Sequence, residues 1–426
     1  MHILVLSHYY PPEGNAPATR THAHAKRWVA DGHRVTVVTS NPNCPGGVIY
    51  DGYTNRLRPQ REAIDGVDVV RVWTYLAANA GFAKRTANYL SFMLSGTLAG
   101  CRVDRPDVVL ATSPQFFNGW AGVLTKWLRR RPLVLEIRDI WPESILTVGA
   151  MRPGLLVRVL EWLERRMYRA ADRIVAVGRG YRDNILSKVT PRQPIAIVTN
   201  GVDAREYQPA EPDDAFRREH GLGDAFVCSY IGTVGMAHGL EVVLGAAERL
   251  RDRDDVRFLI VGDGAERRRL EEDAARRGLN DRVRFTGRLP KDEMPRALAA
   301  SDCCLVHLKP SALFATVIPS KIFETMAMGV PMILGVEGEA VEIVREADAG
   351  LTMTPGDAGE LAARVCELAD SPLLRARLAR RGPDAVRSRF NRDTLAAAML
   401  GVLCDAAGVV PAATERDDAR PRRRAA

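Results

Sequence analysis

The segment PSKIFETMAMGVP, residues 319–331, reads as a polar loop that leads into a short apolar helix and then into a strand. A helix N-terminus offers unpaired backbone N–H groups and the positive end of the helix dipole. Ser320 and Lys321, on the first turn, are therefore placed to hold a phosphate or diphosphate. Glu324, one turn further on, offers a carboxylate that accepts protons from two hydroxyl groups at once, as a ribose requires. The segment predicts a site for a nucleotide-sugar.

A plainer interpretation of this segment treats Glu324 as a solvated helix glutamate and Lys321 as an ordinary surface charge. Composition alone favours that interpretation. The choice between the two depends on what the rest of the chain places around the segment.

Length and composition indicate a two-domain globular protein. The chain has 426 residues, more than one ordinary core accommodates. Its hydrophobic content of 46% and charged content of 26% are typical of soluble proteins. The net charge of +8 favours anionic partners such as nucleic acid or lipid headgroups. A basic nucleic-acid-binding protein is kept as an alternative outside enzymes, but no basic strand with interleaved aromatic residues supports it. We therefore predict no nucleic-acid partner.

The cysteines and the N-terminus predict a cytoplasmic protein. The seven cysteines include no CxxC pair and no metal-ligand spacing, which is typical of small buried residues in a reducing compartment. The chain enters the strand-like run Ile3 to Ser7 without a basic leader, so we expect no secretory signal. The uncharged stretches 86–101 and 108–125 are too short or too polar to cross a bilayer.

Apolar strand-like runs alternate with helical runs in both halves of the chain, which predicts parallel sheets covered by helices on both faces. The fold class is therefore α/β, with two Rossmann-like domains. We expect the strands at 3–7, 34–39, 67–72, 108–112, 133–137, 173–177 and 195–198 in the first half, and at 226–231, 256–261, 283–286, 303–307, 331–334 and 350–353 in the second.

Turn-forming residues at 199–203, followed by the proline- and acid-rich segment 208–214, predict the domain boundary. We assign residues 1–203 to an N-terminal acceptor domain and residues 204–383 to a C-terminal donor domain. A final helix at about 384–408 is expected to cross back to the first domain. The basic tail, residues 409–426, lacks an apolar face and is expected to be disordered.

The loop 8–17 follows the first strand and precedes a helix, which is where doubly wound sheets bind ligands. Gly14 permits close approach of a ligand to the backbone, although a single loop glycine is more often only a turn residue. Gly14 is therefore a candidate for donor binding.

Several motifs together resemble glycosyltransferase family 4. The segment 319–331 carries most of the resemblance, followed by Gly232 to Gly239, by Asn200-Gly201-Val202-Asp203 and by Gly262-Asp263-Gly264. Within the family, the chain is most similar to bacterial transferases for fucosamine and related amino sugars in surface-polysaccharide assembly. The resemblance covers nearly the whole chain.

The resemblance implies a GT-B architecture, in which the two Rossmann-like domains face each other across a cleft that holds the active site. It implies transfer with retention of configuration, without a metal or any other cofactor. The partners it implies are a UDP-linked nucleotide-sugar donor and a saccharide or polyprenyl-diphosphate-linked acceptor. A sugar-nucleotide epimerase of the same architecture is the alternative among enzymes.

The chain departs from the family pattern at four positions. Thr233 and His238 stand where most members carry an arginine and a lysine that neutralise the donor diphosphate. The resemblance makes both residues candidates for donor binding, together with Gly232 and Gly262 of the two glycine motifs. We expect the contribution of His238 to affinity to depend on pH. A role for His238 in capping the next helix is an equal alternative. Two further departures replace the first glutamate of the Glu-x7-Glu signature and the second glycine of the first-domain loop: these positions hold Thr316 and Asn15.

Arg138 and Asp139, in the segment EIRDIWPES at 136–144, follow a strand of the first domain and are expected to open into the same cleft. Charged residues at the mouth of a buried sheet are explained better by function than by packing. We predict that Asp139 positions the acceptor or acts as a base, with Arg138 beside it and Glu143 behind it. The alternative is an ion pair between these residues and the loop at Arg20.

Two other features bear on partners. The triplet Asp252-Arg253-Asp254 matches the Asp-x-Asp of metal-dependent transferases but lies in a charged run, and we interpret it as a solvated turn. The helix 152–172 carries an apolar stripe flanked by arginines, which is usually core. Together with Lys126, Arg129 to Arg131 and the apolar run 89–98, it could instead rest on the anionic inner face of the cytoplasmic membrane.

Overall fold

Two separate β-sheets organise the chain, which is described here by a computed structural model over residues 1–77, 82–147 and 154–409. No strand in this part of the chain belongs to both sheets. The chain passes from the first sheet to the second between Ile197 and Phe226, and the predicted boundary at residue 203 falls within this segment. The predicted α/β class is confirmed.

The first sheet has eight strands in the order β3-β4-β2-β1-β5-β6-β7-β8. Neighbouring strands are parallel except for β3 and β4, which form an antiparallel hairpin. The strands are His2–Leu6 (β1), Arg34–Ser40 (β2), Gln60–Ile64 (β3), Val67–Val72 (β4), Val108–Thr112 (β5), Leu133–Ile137 (β6), Arg173–Ala176 (β7) and Ala196–Ile197 (β8).

Strand β3 was not expected from the sequence. Its residues alternate between exposed and half-buried positions, so it lacks the continuous apolar run of a central strand. The turn that joins it to β4 consists of Asp65 and Gly66, which have φ of 48° and 77°. Two residues with positive φ form the turn type that matches the twist of a hairpin, so the Asp-Gly pair was the available signal.

Helices cover both faces of the first sheet. Helix α1 begins after Asn15, whose Oδ1 accepts a hydrogen bond from Ala18 N at 3.0 Å, and it ends before Gly32, which has φ of 83°. The helices of this domain are Ala16–Ala30 (α1), Phe82–Arg102 (α2), Phe116–Arg129 (α3), Glu143–Thr147 (α4), Leu155–Ala170 (α5) and Arg179–Lys188 (α6).

The second sheet has six parallel strands in the order β11-β10-β9-β12-β13-β14. Its strands are Phe226–Ile231 (β9), Val256–Val261 (β10), Val283–Gly287 (β11), Cys303–His307 (β12), Met332–Gly335 (β13) and Gly350–Thr352 (β14). The helices in this half are Asp214–Glu219 (α7), Glu241–Arg249 (α8), Arg267–Arg276 (α9), Met294–Ala299 (α10), Lys321–Ala327 (α11), Glu339–Ala347 (α12), Ala358–Asp370 (α13) and Pro372–Ala385 (α14).

The last helix, Arg392–Ala407 (α15), returns to the first domain. Its residues Leu395, Met399 and Leu403 are buried in the core that surrounds β1. Trp28 Nε1 of α1 donates a hydrogen bond to Ala396 O at 2.9 Å, which fixes the two helices against each other. The predicted tail lies outside the described residues from position 410 onward.

Across the ranges described here, none of the helices combines the length and the apolar character that a bilayer crossing requires.

Candidate active site

The loops that follow β9 and β10 are in direct backbone contact. Gly232 and Gly262 have φ of 139° and 141°, a conformation that favours glycine. A Cβ added to Gly262 would lie 1.8 Å from the carbonyl oxygen of Gly232, and one added to Gly264 would lie 2.3 Å from that of Val234. Only glycine fits at these positions. Close contact with the Gly232 loop explains why glycine is needed at position 262. Gly262 would therefore influence a ligand indirectly, by setting the shape of the Gly232 loop.

Lys321 lies directly under the Gly232 loop. A Cβ added to Gly232 would meet Lys321 Nζ at 2.7 Å, and Nζ also lies 3.8 Å from the centre of the Tyr230 ring. The ammonium nitrogen is buried and has no hydrogen-bond partner. Burial lowers the pKa of Lys321 to about 8. An ordinary surface lysine does not have these properties, and an unpaired buried ammonium is suited to binding an oxyanion.

Ser320 and Glu324 complete the first turn of α11. Ser320 is the N-cap residue, and its side chain makes no capping hydrogen bond. Glu324 is only half exposed, and burial raises its pKa, while the charges of Arg392 and Lys321 lower it. The carboxylate makes no ion pair within the described part of the chain. Glu324 is therefore not a fully solvated helix glutamate.

His238 holds the backbone of the Gly232 loop in place. Gly235 N donates a hydrogen bond to His238 Nδ1 at 3.3 Å, and His307 Nδ1 approaches His238 O at 2.7 Å. The alternative that His238 caps the next helix is wrong, because its ring closes the preceding 3-10 turn, and the N-cap of α8 is Leu240.

The ionisation of His238 differs from that of the lysine expected at this position. Burial, followed by the charge of Lys321, lowers its pKa to about 4. The imidazole is therefore neutral near pH 7 and does not neutralise a diphosphate, so a pH dependence from His238 is confined to acidic pH. Thr233 is exposed, and its carbonyl oxygen accepts a hydrogen bond from the Tyr230 hydroxyl at 2.7 Å.

The carboxyl edge of the first sheet holds a buried ion pair that the sequence did not reveal. Arg20 Nε donates to Glu136 Oε1 at 2.8 Å, and Thr112 Oγ1 donates to Glu136 Oε2 at 2.5 Å. The other guanidinium nitrogens of Arg20 donate to the carbonyl oxygens of Val198 and Thr199 at 2.8 and 2.6 Å. Burial raises the pKa of Glu136, but the charges of Arg20 and Arg138 outweigh it and hold the pKa at about 2.

The alternative, an ion pair of Arg138 and Asp139 with the loop at Arg20, is wrong, because Arg20 pairs with Glu136 instead. Arg138 N donates to Ser113 Oγ at 2.6 Å, whereas its guanidinium Nε and Nη1 are buried without a hydrogen-bond partner. Burial lowers the pKa of Arg138 to about 10.

Asp139 lines a small cavity at the end of β6, against Phe116, Trp141 and Tyr168. Burial raises its pKa to about 6, although hydrogen bonds from Ser144 and the Ile140 backbone act in the opposite direction. An acid of this pKa can exchange a proton near neutral pH. Glu143, predicted to stand behind Asp139, forms an ion pair with Lys188 at 2.5 Å.

Gly14 is exposed, and a Cβ added there would have no atom within 4 Å. The structure thus leaves open space next to this loop. Its neighbour Glu13 is buried, and Glu13 Oε1 accepts hydrogen bonds from Asn43 N at 3.0 Å and Cys44 N at 2.9 Å. This carboxylate ties the predicted donor loop to the loop after β2, a connection that sequence spacing alone did not indicate.

Arg392, the first residue of α15, connects the two groups of candidate residues. Burial has the largest effect on the pKa values of both Arg138 and Glu324, and the charge of Arg392 lowers both. A residue of the crossover helix therefore lies near the first-domain and second-domain candidates at the same time. Burial also has the largest effect on the pKa of His22 in the first domain, and the charge of Lys291 lowers the pKa values of both His22 and Glu324.

The domains also meet at the start of α6. Glu339 Oε2 accepts a hydrogen bond from Arg179 N at 2.5 Å, and the Arg179 side chain pairs with Glu339 and Glu342. A Cβ added to Gly180 would lie 2.9 Å from Thr316 Cβ. Thr316, which replaces the first glutamate of the family signature, thus lies at the domain interface rather than on an open loop.

The Asp252-Arg253-Asp254 triplet lies in the turn before β10. Arg253 pairs with Asp255 and Asp370, both at 2.8 Å, and Asp254 pairs with Arg282 at 2.7 Å. These are surface ion pairs. Within the residues that the structure covers, no three His, Cys, Asp or Glu side chains are grouped so that they could hold a metal ion.

Comparison with known proteins assigns both halves of the chain. Residues 15–201 match the family model described as "Glycosyl transferase 4-like domain", and residues 225–371 match the one described as "Glycosyl transferases group 1". Together these matches span most of the chain. Both halves of the chain are therefore glycosyltransferase domains.

Two relatives of this glycosyltransferase come from bacteria. A protein of Escherichia coli K12 named as a colanic acid biosynthesis glycosyl transferase, WcaI, is 29% identical over 337 residues, which are 77% of this chain and 82% of that protein. A Pseudomonas aeruginosa protein named as a glycosyltransferase, WbjE, is 29% identical over 290 residues, or 66% of this chain and 71% of its own.

The fold of the glycosyltransferase is also that of a solved structure, Anabaena HepE in complex with UDP-glucose. The similarity has a TM-score of 0.71 at 19% sequence identity, and it covers 95% of this chain and all of HepE. At this identity the similarity concerns the fold alone. The predicted arrangement of two Rossmann-like domains in the GT-B manner is confirmed.

Proposed function

We propose that this glycosyltransferase moves a sugar from a nucleoside diphosphate to a saccharide or polyprenyl-diphosphate-linked acceptor in bacterial surface-polysaccharide synthesis. The donor we propose is UDP-linked and carries an N-acetylated amino sugar. The name of the Escherichia coli relative, which refers to colanic acid biosynthesis, supports the pathway class. The structure of HepE with UDP-glucose supports the class of donor.

The unpaired Lys321 ammonium carries the proposal. A buried charge without a partner costs several kcal/mol, and an anionic ligand removes that cost. Nζ lies against the Gly232 loop, and Ser320, the N-cap residue of α11, precedes Lys321 in the chain. A diphosphate bound here would meet the ammonium, the positive end of the helix and the serine hydroxyl together. Glu324, one turn along the same helix, is then placed for the ribose hydroxyls.

The chemistry we propose is retention of configuration without a metal. As the bond between the sugar and the diphosphate breaks, negative charge grows on the leaving phosphate, and Lys321 and the amides stabilise it. The leaving diphosphate accepts the proton of the acceptor hydroxyl on the same face of the sugar. Asp139 positions that hydroxyl from the first domain, so the main contribution of the protein is orientation and electrostatic stabilisation.

Two measurements test this function. Thermal stabilisation of the purified protein by a panel of UDP-, GDP- and dTDP-sugars identifies the donor, and we expect a UDP-sugar to give the largest shift. Glu324→Ala should then abolish transfer while the protein stays folded, with Glu272→Ala on the exposed face of α9 as the control. Wild-type turnover in Glu324→Ala would contradict the assignment. Product mass distinguishes transfer, which releases a nucleoside diphosphate, from epimerisation, which leaves the mass unchanged.

A contact with the anionic inner membrane is part of the proposal. Helices α2, α3 and α5 pack side by side and present exposed apolar residues. These residues, which we call the apolar face, are Leu94, Leu98, Trp127, Leu128, Leu155, Leu156, Val159 and Trp162. The apolar stripe predicted on the helix 152–172 is only partly in the core. Leu160 and Met167 are buried, whereas Leu156 is 54% exposed.

Arginines surround the apolar face. Arg158, Arg166 and Arg169 are exposed on α5, and the Arg166 guanidinium lies 5.1 Å from the centre of the Trp162 ring. Apolar side chains beside cations suit the headgroup region of an anionic bilayer. The protein should float with anionic liposomes at low salt and not with zwitterionic ones, and Trp162→Glu should weaken the binding. Equal flotation with both lipids would contradict this contact.

A further inference from the structure

The Arg138 side chain is partly buried, and its guanidinium makes no side-chain hydrogen bond within the described residues. Among the arginines of the described chain, it is the one with two buried guanidinium nitrogens, Nε and Nη1, that have no partner. Nearby Arg20, by contrast, uses all three of its nitrogens. Leaving the donors of a buried cation unsatisfied is costly, so a protein keeps such a group where a ligand supplies the missing acceptors.

The surroundings of Arg138 carry an excess of positive charge. Its charged neighbours are Glu136, Arg20 and Arg392, and the polar Tyr181 also lies close to it. Glu136 is already occupied by Arg20 and by the Thr112 hydroxyl. Arg20 and Arg138 therefore share one committed carboxylate, while Arg392 also acts on Glu324, and the acceptor that Arg138 needs must come from outside this group.

The second domain brings a further unpaired cation to the same junction. Burial has the largest effect on the pKa values of Arg138 and Glu324, and the charge of Arg392 lowers both. The charge of Lys321 also lowers the pKa of Glu324. Both Lys321 Nζ and the Arg138 guanidinium lack partners. His238, the histidine beside Lys321, is neutral near pH 7 and leaves the charge of a diphosphate to other groups.

We propose that Arg138 is a phosphate-binding residue, contributed by the first domain, that grips diphosphate oxygens from the side of the cleft opposite Lys321. The planar guanidinium offers two donor edges, Nε with Nη2 and Nη1 with Nη2, and either edge matches two oxygens of a phosphate. The proposal rests on the glycosyltransferase function above. The diphosphate is that of the nucleotide donor or that of a polyprenyl-linked acceptor, since both offer the same oxygens.

Calorimetric titration of four ligands identifies the source. UDP and uridine differ by the diphosphate of the donor, and farnesyl diphosphate and farnesol differ by the diphosphate of a polyprenyl acceptor. The variants are Arg138→Gln, Arg138→Lys and, as a matched control on the surface of the same domain, Arg182→Gln. Thermal denaturation without ligand checks that each variant is folded, and Arg138→Lys keeps the charge if Arg138→Gln does not fold.

Arg138→Gln should weaken the binding of one of the two diphosphates about tenfold or more, which corresponds to about 1.4 kcal/mol. The affinity of Arg138→Lys should lie between those of Arg138→Gln and the wild type, and the affinities for uridine and farnesol should not change. Loss of UDP affinity assigns Arg138 to the donor, and loss of farnesyl diphosphate affinity assigns it to the acceptor. Unchanged affinities for both diphosphates, or an equal loss for uridine, would overturn the inference. Failure of the wild type to bind UDP here, and every nucleotide-sugar of the panel above, would instead overturn the proposed function, and this inference with it.

Discussion

The carboxyl edges of the two sheets form the opposite sides of the candidate site by different means. In the second domain, the edge is made of backbone in close contact, with Gly262 against Gly232 and one unpaired cation, Lys321, beneath. In the first domain, the edge is made of buried charges, with Arg20 and Glu136 paired and Arg138 unpaired. The first arrangement depends on exact backbone shape and the second on charge balance, so the two sides should respond to different perturbations.

The largest effect is expected at Gly262. Gly262→Ala would place a Cβ 1.8 Å from Gly232 O and would also force alanine to adopt a φ of 141°. We expect a loss of about 5 kcal/mol or more in stability, together with loss of nucleotide binding, because backbone cannot move aside as a side chain can. Thermal unfolding measures the loss.

Gly14→Ala is the matched control for this substitution, since no atom lies within 4 Å of the added Cβ. We expect a change in stability of less than about 0.5 kcal/mol. Equal losses in the two variants would contradict the view that the second-domain edge alone depends on backbone contact.

The next largest effect is expected at Glu136. Glu136→Gln leaves Arg20 buried without a counterion and beside Arg138, which should cost about 3 to 5 kcal/mol. Because the folded pKa of Glu136, about 2, lies below its ordinary value of 4.5, its contribution is present above pH 4.5 and is lost as the pH falls towards 2. Denaturant titrations at several pH values measure this.

Asp370→Asn, which breaks an exposed ion pair with Arg253, is the control for Glu136→Gln and should cost under about 1 kcal/mol. If both variants lose the same small amount, the Arg20 and Glu136 pair does not set the charge balance of the first-domain edge.

The contrast between the two edges also explains what the sequence could predict. The central strands β4, β5 and β6 are mostly apolar and lie where the sequence placed them, whereas the edge strand β3 alternates between exposed and half-buried residues and was missed. Gly232 and Gly262 were named on the resemblance to the family, and the structure places them in contact after β9 and β10, while their role in donor binding stays a prediction.

Contacts between distant residues left no such local signal. Arg20 and Glu136 are 116 positions apart, and the hydrogen bond between Arg179 and Glu339 spans 160 positions and two domains. The sequence therefore indicated charged residues after β6, but the alternative ion pair with the loop at Arg20 named Arg138 and Asp139 and not Glu136. Which charge pairs with which is decided by the packing of domains, and a single sequence does not contain it.

A moderate effect of opposite sign is expected from Asp139. Burial raises its pKa from 3.8 to about 6, so its stabilising effect is fully present below pH 3.8 and is lost as the pH rises through 6. Asp139→Asn should therefore gain stability relative to the wild type between pH 4 and 6.5, by up to about 3 kcal/mol. Thermal unfolding of both proteins across this range measures the gain.

Activity provides an independent check on Asp139. If the ionised carboxylate positions the acceptor, kcat/KM of the wild type should rise with an apparent pKa near 6, and that of Asp139→Asn should be low and lack this step. A profile with the same step in both proteins would assign the titration to another group. As the pH falls, Glu136 loses its contribution to stability, whereas Asp139 regains its own. The pH dependence of stability therefore distinguishes the two carboxylates at this edge of the first sheet.

The smallest effect is expected where the two domains touch at the start of α6. Arg179 is half exposed, so its ion pair with Glu339 should be worth about 1 kcal/mol or less and should weaken with salt. A double-mutant cycle of Arg179→Ala and Glu339→Gln should show a coupling of about 0.5 kcal/mol in thermal stability at low salt and none in 1 M NaCl.

The hydrogen bond from Arg179 N to Glu339 involves the backbone, so Arg179→Ala keeps it and Glu339→Gln weakens it. Glu339→Gln should therefore cost more than Arg179→Ala, and the reverse order would mean that the side chains alone hold this contact, unlike the charged edge of the first domain, where Arg20 also donates to backbone carbonyl oxygens.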